Sequence, residues 1–253
     1  MVIEVPGSGG ALSVLVIDES RTKASSQVAE RALLVVYGVP SAPKVTGVDV
    51  DLFLQEHAKR LSSASNALVA VLLPSGVGTS KGTFSPLRWK QDMLEVVSYL
   101  TESVGVATVF LVGFEMITPQ TLAAAAEAPK VGGVVTISTV PSVPPYSLNS
   151  YEISDQLESF GVVVPSAVET IKGWENEYLA IDPSKTAPRL GQLPWLVIHG
   201  ADDRAVPVEE LRRLLDDVDG IGELHILNAG GESLRADPRV LALLVGWLAR
   251  IVP

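Results

Sequence analysis

The stretch Ala107-Thr108-Val109-Phe110-Leu111-Val112-Gly113-Phe114-Glu115-Met116-Ile117 decides how the rest of the chain is read. The apolar run from Ala107 to Val112 has the composition of a buried strand, Gly113 closes it, and a helical pattern follows from Glu115 to Ala126. A strand that passes so abruptly into a helix is half of a βα unit, and the unit recurs outward in both directions. Strands are predicted at Ala32 to Tyr37 and Ala67 to Leu73 before it, and at Val131 to Ile137, Pro194 to His199 and Glu223 to Leu227 after it. These runs do not alternate apolar with polar, so they suit parallel strands covered on both faces. Leu12 to Ile17 is predicted as an antiparallel strand at one edge. Further helices are predicted over Asp49 to Ser63, Pro86 to Val104, Val208 to Asp217 and Pro238 to Ile251. The fold class is therefore α/β: a doubly wound, mostly parallel sheet with helices on both faces.

The whole chain, residues 1–253, reads as one domain, a length that buries a single large core. Residues 141–188 break the βα rhythm. They are rich in Pro and Ser, contain amphipathic pieces at Ile153 to Phe160 and Ala167 to Leu179, and exceed an ordinary connection, so a small helical cap inserted between strands is expected. Its Pro144, Pro145, Tyr146, Tyr151, Phe160, Trp174 and Tyr178 are expected to form an apolar roof suited to a small organic ligand.

Composition excludes several function classes. A formal charge of −10 opposes attraction to nucleic acid or to anionic lipid, because both need clustered Lys and Arg. With no Cys, disulfides, thiolate metal sites and cysteine nucleophiles drop out. The longest apolar runs, such as Ala67 to Leu73, fall far short of the roughly 20 residues of a membrane span. The N-terminus lacks a basic start and apolar core, so cytoplasmic residence is the expectation. Ser75 to Gly82 has the wrong spacing for a phosphate loop and reads as a structural turn. No cofactor and no metal-ligand motif is predicted, and a protein partner is left open.

Three segments carry a family resemblance: Val35-Val36-Tyr37-Gly38, Leu111-Val112-Gly113-Phe114-Glu115-Met116, and Ile198-His199-Gly200-Ala201-Asp202-Asp203-Arg204-Ala205-Val206-Pro207. Together they resemble the α/β-hydrolase family, in particular its small esterase and dienelactone-hydrolase-like members, over roughly Leu33 to Trp247. The resemblance implies a Ser nucleophile at a Gly-x-Ser-x-Gly elbow, an Asp after a late strand and a His before the last helix. Here Glu115 stands at the Ser position and Ile117 at the final Gly, while Asp203 keeps the acid position in Asp-x-x-Val-Pro. In Asn228-Ala229-Gly230-Gly231-Glu232-Ser233-Leu234-Arg235-Ala236-Asp237-Pro238, Glu232 stands where the resemblance implies the His. The oxyanion loop departs as well: Tyr37 replaces the usual His, and Pro40 has no N–H to give. Tyr37, Val39 and Met116 are the expected residues of the oxyanion hole and cleft, with the Tyr37 hydroxyl a candidate donor into the site.

A serine triad needs a hydroxyl, an imidazole to take its proton and an acid to orient that imidazole, so ordinary serine-hydrolase activity is not expected. The three histidines do not restore it. His57 reads as a solvated helix position, His199 as packed beneath the acid loop, and His225 as structural within its strand. Glu115, Asp203 and Glu232 are expected to converge at the carboxyl ends of the strands. Three such carboxylates repel one another unless one takes up a proton or a cation or donor N–H groups compensate. Four readings follow: a retired hydrolase serving as a binding module; an atypical enzyme with Glu115 as nucleophile or general base and Glu232 as its partner; a carboxylate-lined site for a hard cation; and an unusual hydrolase, still without Ser at the elbow, in which Glu232 is not the residue at the His position.

Overall fold

The computed structural model describes residues 1–19, 29–37, 39, 50–144, 148–218 and 222–251, with the backbone alone at 50–52 and 232. The described residues form an eight-stranded sheet in the order β1-β2-β4-β3-β5-β6-β7-β8. The strands are β1 Val2–Val5, β2 Leu12–Ile17, β3 Arg31–Val36, β4 Leu68–Leu73, β5 Thr108–Phe114, β6 Val131–Ile137, β7 Trp195–Gly200 and β8 Gly222–Leu227. β2 runs antiparallel to β1 and β4, and every pairing from β4 onward is parallel. This is the α/β-hydrolase fold.

The helices are α1 Val50–Ser65, α2 Pro86–Ser98, α3 Thr118–Glu127, α4 Ser150–Ser159, α5 Val168–Ala180, α6 Pro183–Thr186, α7 Val208–Asp216 and α8 Pro238–Ile251. The helix expected to start at Asp49 is described from Val50, position 49 lying outside the described residues. The helix expected to run to Val104 is α-helical only to Ser98 and closes in a π-helical turn, Tyr99–Ser103. α2 begins where local chemistry favours it: Ser85 Oγ accepts from the Arg88 N–H at 3.0 Å, and Pro86 occupies the first turn, where its missing N–H costs nothing. None of the described helices is long and apolar enough to cross a membrane.

Period-two alternation divides the strand side chains between two cores. Leu34, Val36, Leu111, Val134 and Val197 pack with Trp89, Met93 and Leu122 beneath α2 and α3. Leu33, Val35, Val112, Val135 and Ile198 pack with Leu61, Leu244 and Trp247 beneath α1 and α8. Burying each such side chain contributes about 1.5–3 kcal/mol, so two covered faces explain the unbroken apolar runs.

Residues 148–190, between β6 and β7, fold into α4, α5, α6 and a 3-10 turn at Ala187–Leu190. Spacing on α5 puts Ile171, Trp174 and Tyr178 on one face, and all three are buried in the core shared with α2 and α3. Trp174 meets Phe84 edge-on at 4.7 Å, and Val163 exchanges backbone hydrogen bonds of 2.8 Å with Gly76 and Phe84. The expected roof is corrected on this point. Trp174 and Tyr178 are consumed in packing the segment onto the α2–α3 layer and face no open cleft, Phe160 packs against the same core, and Tyr151 points to solvent. Pro145 and Tyr146 lie outside the described residues.

Candidate functional site: an elbow closed by an ion pair

β5 ends at Phe114 in extended geometry, and the next residue, Glu115, has φ of +55°. A non-glycine residue in the left-handed region costs about 1 kcal/mol and needs outside support. Thr118 supplies part of it. Its hydroxyl donates to the Glu115 carbonyl at 2.8 Å and accepts from the Val140 N–H at 2.9 Å, tying the turn to the end of β6. A 3-10 turn, Glu115–Ile117, leads into α3, so the helix expected from Glu115 becomes α-helical only at Thr118. This sharp strand-to-helix turn is the geometry of a nucleophile elbow.

Both Glu115 carboxylate oxygens are engaged. Arg235 Nε donates to Oε1 at 2.7 Å and Arg235 Nη2 donates to Oε2 at 2.9 Å, a bidentate fork. The same guanidinium reaches the chain after β3: Nη1 donates to the Val39 carbonyl at 3.0 Å and Nη2 to the Tyr37 carbonyl at 3.3 Å. The Arg235 side chain is 6% exposed and that of Glu115 16%. Arg235 is carried by a 3-10 turn, Gly231–Ala236, directly before α8.

Asp203, after β7, is held differently. Its Oδ1 accepts from the Ala205 and Val206 N–H groups, each at 3.0 Å, and its Oδ2 stands 3.9 Å from His199 Nε2. A β-carbon at Gly231 would stand 2.2 Å from Asp203 Oδ2, so the loop bearing Glu232 lies against the acid only because position 231 has no side chain. The side chain of Glu232 lies outside the described residues, as do Gly38 and Pro40.

At Glu115 the compensating cation that the expectation allowed for is a buried guanidinium, that of Arg235. Among the described residues no group of three His, Asp or Glu is placed to hold a metal ion. Arg235 was not anticipated as a site residue, although it is the only basic residue between Asn228 and Pro238. A lone cation in that loop, facing a chain with Glu at the elbow, was the available signal.

Tyr37 and His57 also differ from expectation. The Tyr37 hydroxyl does not enter the site; it is bonded to His57 Nδ1 on α1. The Tyr37 ring stacks on Phe114 at 4.6 Å, and His57 stacks on Phe53 at 5.7 Å. His57 is therefore partly buried in an aromatic box, not solvated. Burial, then the nearby Arg60 charge, lowers its pKa to about 4. Burial raises that of the Tyr37 hydroxyl, opposed by Arg235. At neutral pH the phenol is accordingly the donor and the neutral imidazole the acceptor. Met116 is buried in the core under α3.

His199 is fully buried, with Nε2 donating to the Val206 carbonyl at 2.9 Å, in keeping with packing beneath the acid loop. His225 Nε2 lies 2.7 Å from Glu223 Oε1 on the edge strand β8. The loop from Ser75 to Gly82 is structural as expected. The Ser75 N–H and hydroxyl both bond Asp92, at 2.7 and 3.0 Å, and Arg88 Nε donates to the same carboxylate at 2.6 Å.

No protein-family model matches the chain, and no curated protein matches it by sequence. Solved structures do. An esterase from Pyrococcus furiosus superimposes with a TM-score of 0.73 at 15% identity, covering 100% of this chain and 91% of that one. A thermophilic esterase from Thermogutta terrifontis gives 0.69 at 16%, covering 100% of both. A serine hydrolase without a lid, from Xanthomonas campestris, gives 0.61 at 19%, covering 100% of this chain and 93% of that one. At such identities the likeness shows the fold: this chain is α/β-hydrolase-like.

Proposed function

We propose that this chain is a non-hydrolytic α/β-hydrolase-like protein, a pseudoenzyme in which Glu115, Asp203 and Glu232 occupy the triad-equivalent positions and the scaffold serves in binding. The observation that carries this reading is the Arg235 fork on Glu115. A carboxylate whose two oxygens both accept from a buried guanidinium is held in place and charge-paired, which makes it a poorer nucleophile. That weighs against the atypical-enzyme reading with Glu232 as partner. The hard-cation reading meets the same obstacle, since a guanidinium already neutralises Glu115.

The oxyanion positions add support. Of the expected hole residues, Val39 and Tyr37 turn carbonyls toward the elbow, and a carbonyl repels the developing oxyanion that N–H groups would stabilise.

The test is turnover of p-nitrophenyl acetate and butyrate by the wild type and by Glu115→Gln. The expected result is no rate above the spontaneous one in either protein. Wild-type turnover abolished by Glu115→Gln would overturn the proposal and make Glu115 a working carboxylate.

A further inference from the structure

Among the described residues, four acceptor atoms lie around the Arg235 guanidinium. Glu115 offers Oε1 and Oε2 to one edge of the plane, at 2.7 and 2.9 Å. The Val39 and Tyr37 carbonyls take Nη1 and Nη2, at 3.0 and 3.3 Å. All four contacts are acceptors spread around a planar fork, the arrangement that suits a guanidinium and not an ammonium, whose donors radiate from one atom. The left-handed backbone at Glu115, held by Thr118, fixes where the carboxylate points. With Arg235 6% exposed, these contacts form away from bulk water, where charge-assisted hydrogen bonds are strongest.

We propose that the elbow of this chain is a guanidinium site, an oxyanion hole with its polarity reversed, and that Arg235 is its built-in occupant. The ligand chemistry this site accepts is a guanidinium compound or an arginine side chain, and it becomes available only when Arg235 withdraws. The inference goes beyond the non-hydrolytic reading and stands apart from it, since it rests on the acceptor set and not on the absence of turnover.

Truncating Arg235 leaves the acceptors and vacates the space of its stem, so a small alkylguanidinium should take its place. Arg235→Ala would be titrated with ethylguanidinium and with ethylammonium, following the melting temperature and the binding heat. The expected result is a melting temperature below wild type that rises with ethylguanidinium at millimolar concentration, responds far less to the ammonium, and is unmoved in the wild type. Adding Glu115→Gln to Arg235→Ala should weaken the guanidinium by at least about tenfold, the loss of a charged fork. A folded Arg235→Ala that ignores ethylguanidinium, or answers equally to the ammonium, would overturn the proposal, as would an equal response in the wild type or the double variant. Should Arg235→Ala fail to fold, the wild type decides by nitrogen-15 NMR. One arginine Nε–H must exchange slowly at pH 8, and its absence overturns the assignment. Ester turnover by the wild type would remove the pseudoenzyme reading and leave these outcomes untouched.

Discussion

Gly113 and Thr121 are in such close approach that a β-carbon on Gly113 would stand 2.2 Å from Thr121 Oγ1 and 2.9 Å from its Cβ. The first turns of α3 can lie on the end of β5 only because Gly113 carries no side chain. Gly113→Ala is therefore expected to cost about 2 kcal/mol or more in urea unfolding. Thr121→Ala in the same chain should return part of that loss, since it removes the nearer contact and leaves the Cβ. A Gly113→Ala protein as stable as wild type would contradict this packing.

Breaking the buried pair from either side strands a charge. Glu115→Leu or Arg235→Met alone is expected to lower stability by about 3–5 kcal/mol. Glu115→Leu combined with Arg235→Met removes both charges and should lose less than the sum of the single losses. Denaturant midpoints of the four proteins form the cycle that checks it. Strict additivity would mean the two groups do not depend on each other.

The aromatic box around His57 makes a pH prediction. Its folded pKa of about 4 lies below the ordinary value of 6.5, so the unfolded chain binds the proton more readily. The stability that neutral His57 contributes is fully present above about pH 6.5 and is lost as pH falls toward 4. The loss is roughly 3 kcal/mol at most. Subtracting the pH profile of His57→Phe from that of the wild type isolates this term from the carboxylates. Coincident slopes over that window would show that His57 does not carry it.

Two buried polar side chains should behave in opposite ways. Tyr178 is fully buried, and its hydroxyl has no hydrogen-bond partner among the described residues, so Tyr178→Phe is expected to be neutral or stabilising by up to about 1 kcal/mol. Asp92 is equally buried but accepts from Ser75 and Arg88, and Asp92→Ala is expected to lose about 2–4 kcal/mol. Thermal unfolding of the two variants side by side tests the contrast.

Much of the fold is legible in the chain because buried parallel strands must be apolar on both faces. Ala32 to Tyr37 and Val131 to Ile137 announce themselves in this way, and the antiparallel edge at Leu12 to Ile17 was also readable. β1 was not, because its four residues are half exposed and only Val5 is buried, which leaves no pattern to count. The elbow was legible from Gly113 followed by Glu115, as a turn and as a departure from serine chemistry. What it contacts was not, because Arg235 is 120 residues away and no local signal records a long-range pair. His57 misled for a related reason: its neighbours Glu56, Lys59 and Arg60 are exposed charges, and nothing local records that the ring packs against Tyr37, 20 residues away. Trp174 and Tyr178 looked like a ligand roof because aromatic content alone does not say which way a helix turns its face.

The clasp at the elbow closes chain separations of 120 residues to Glu115 and 196 to Val39. Contacts this distant in sequence form only after the intervening sheet has assembled, since closing such loops early costs entropy with little return. Arg235 is thus expected to dock late in folding and to hold the elbow early in unfolding. Its removal should leave the refolding rate nearly unchanged and appear as faster unfolding, so what the ion pair chiefly confers on this molecule is lifetime.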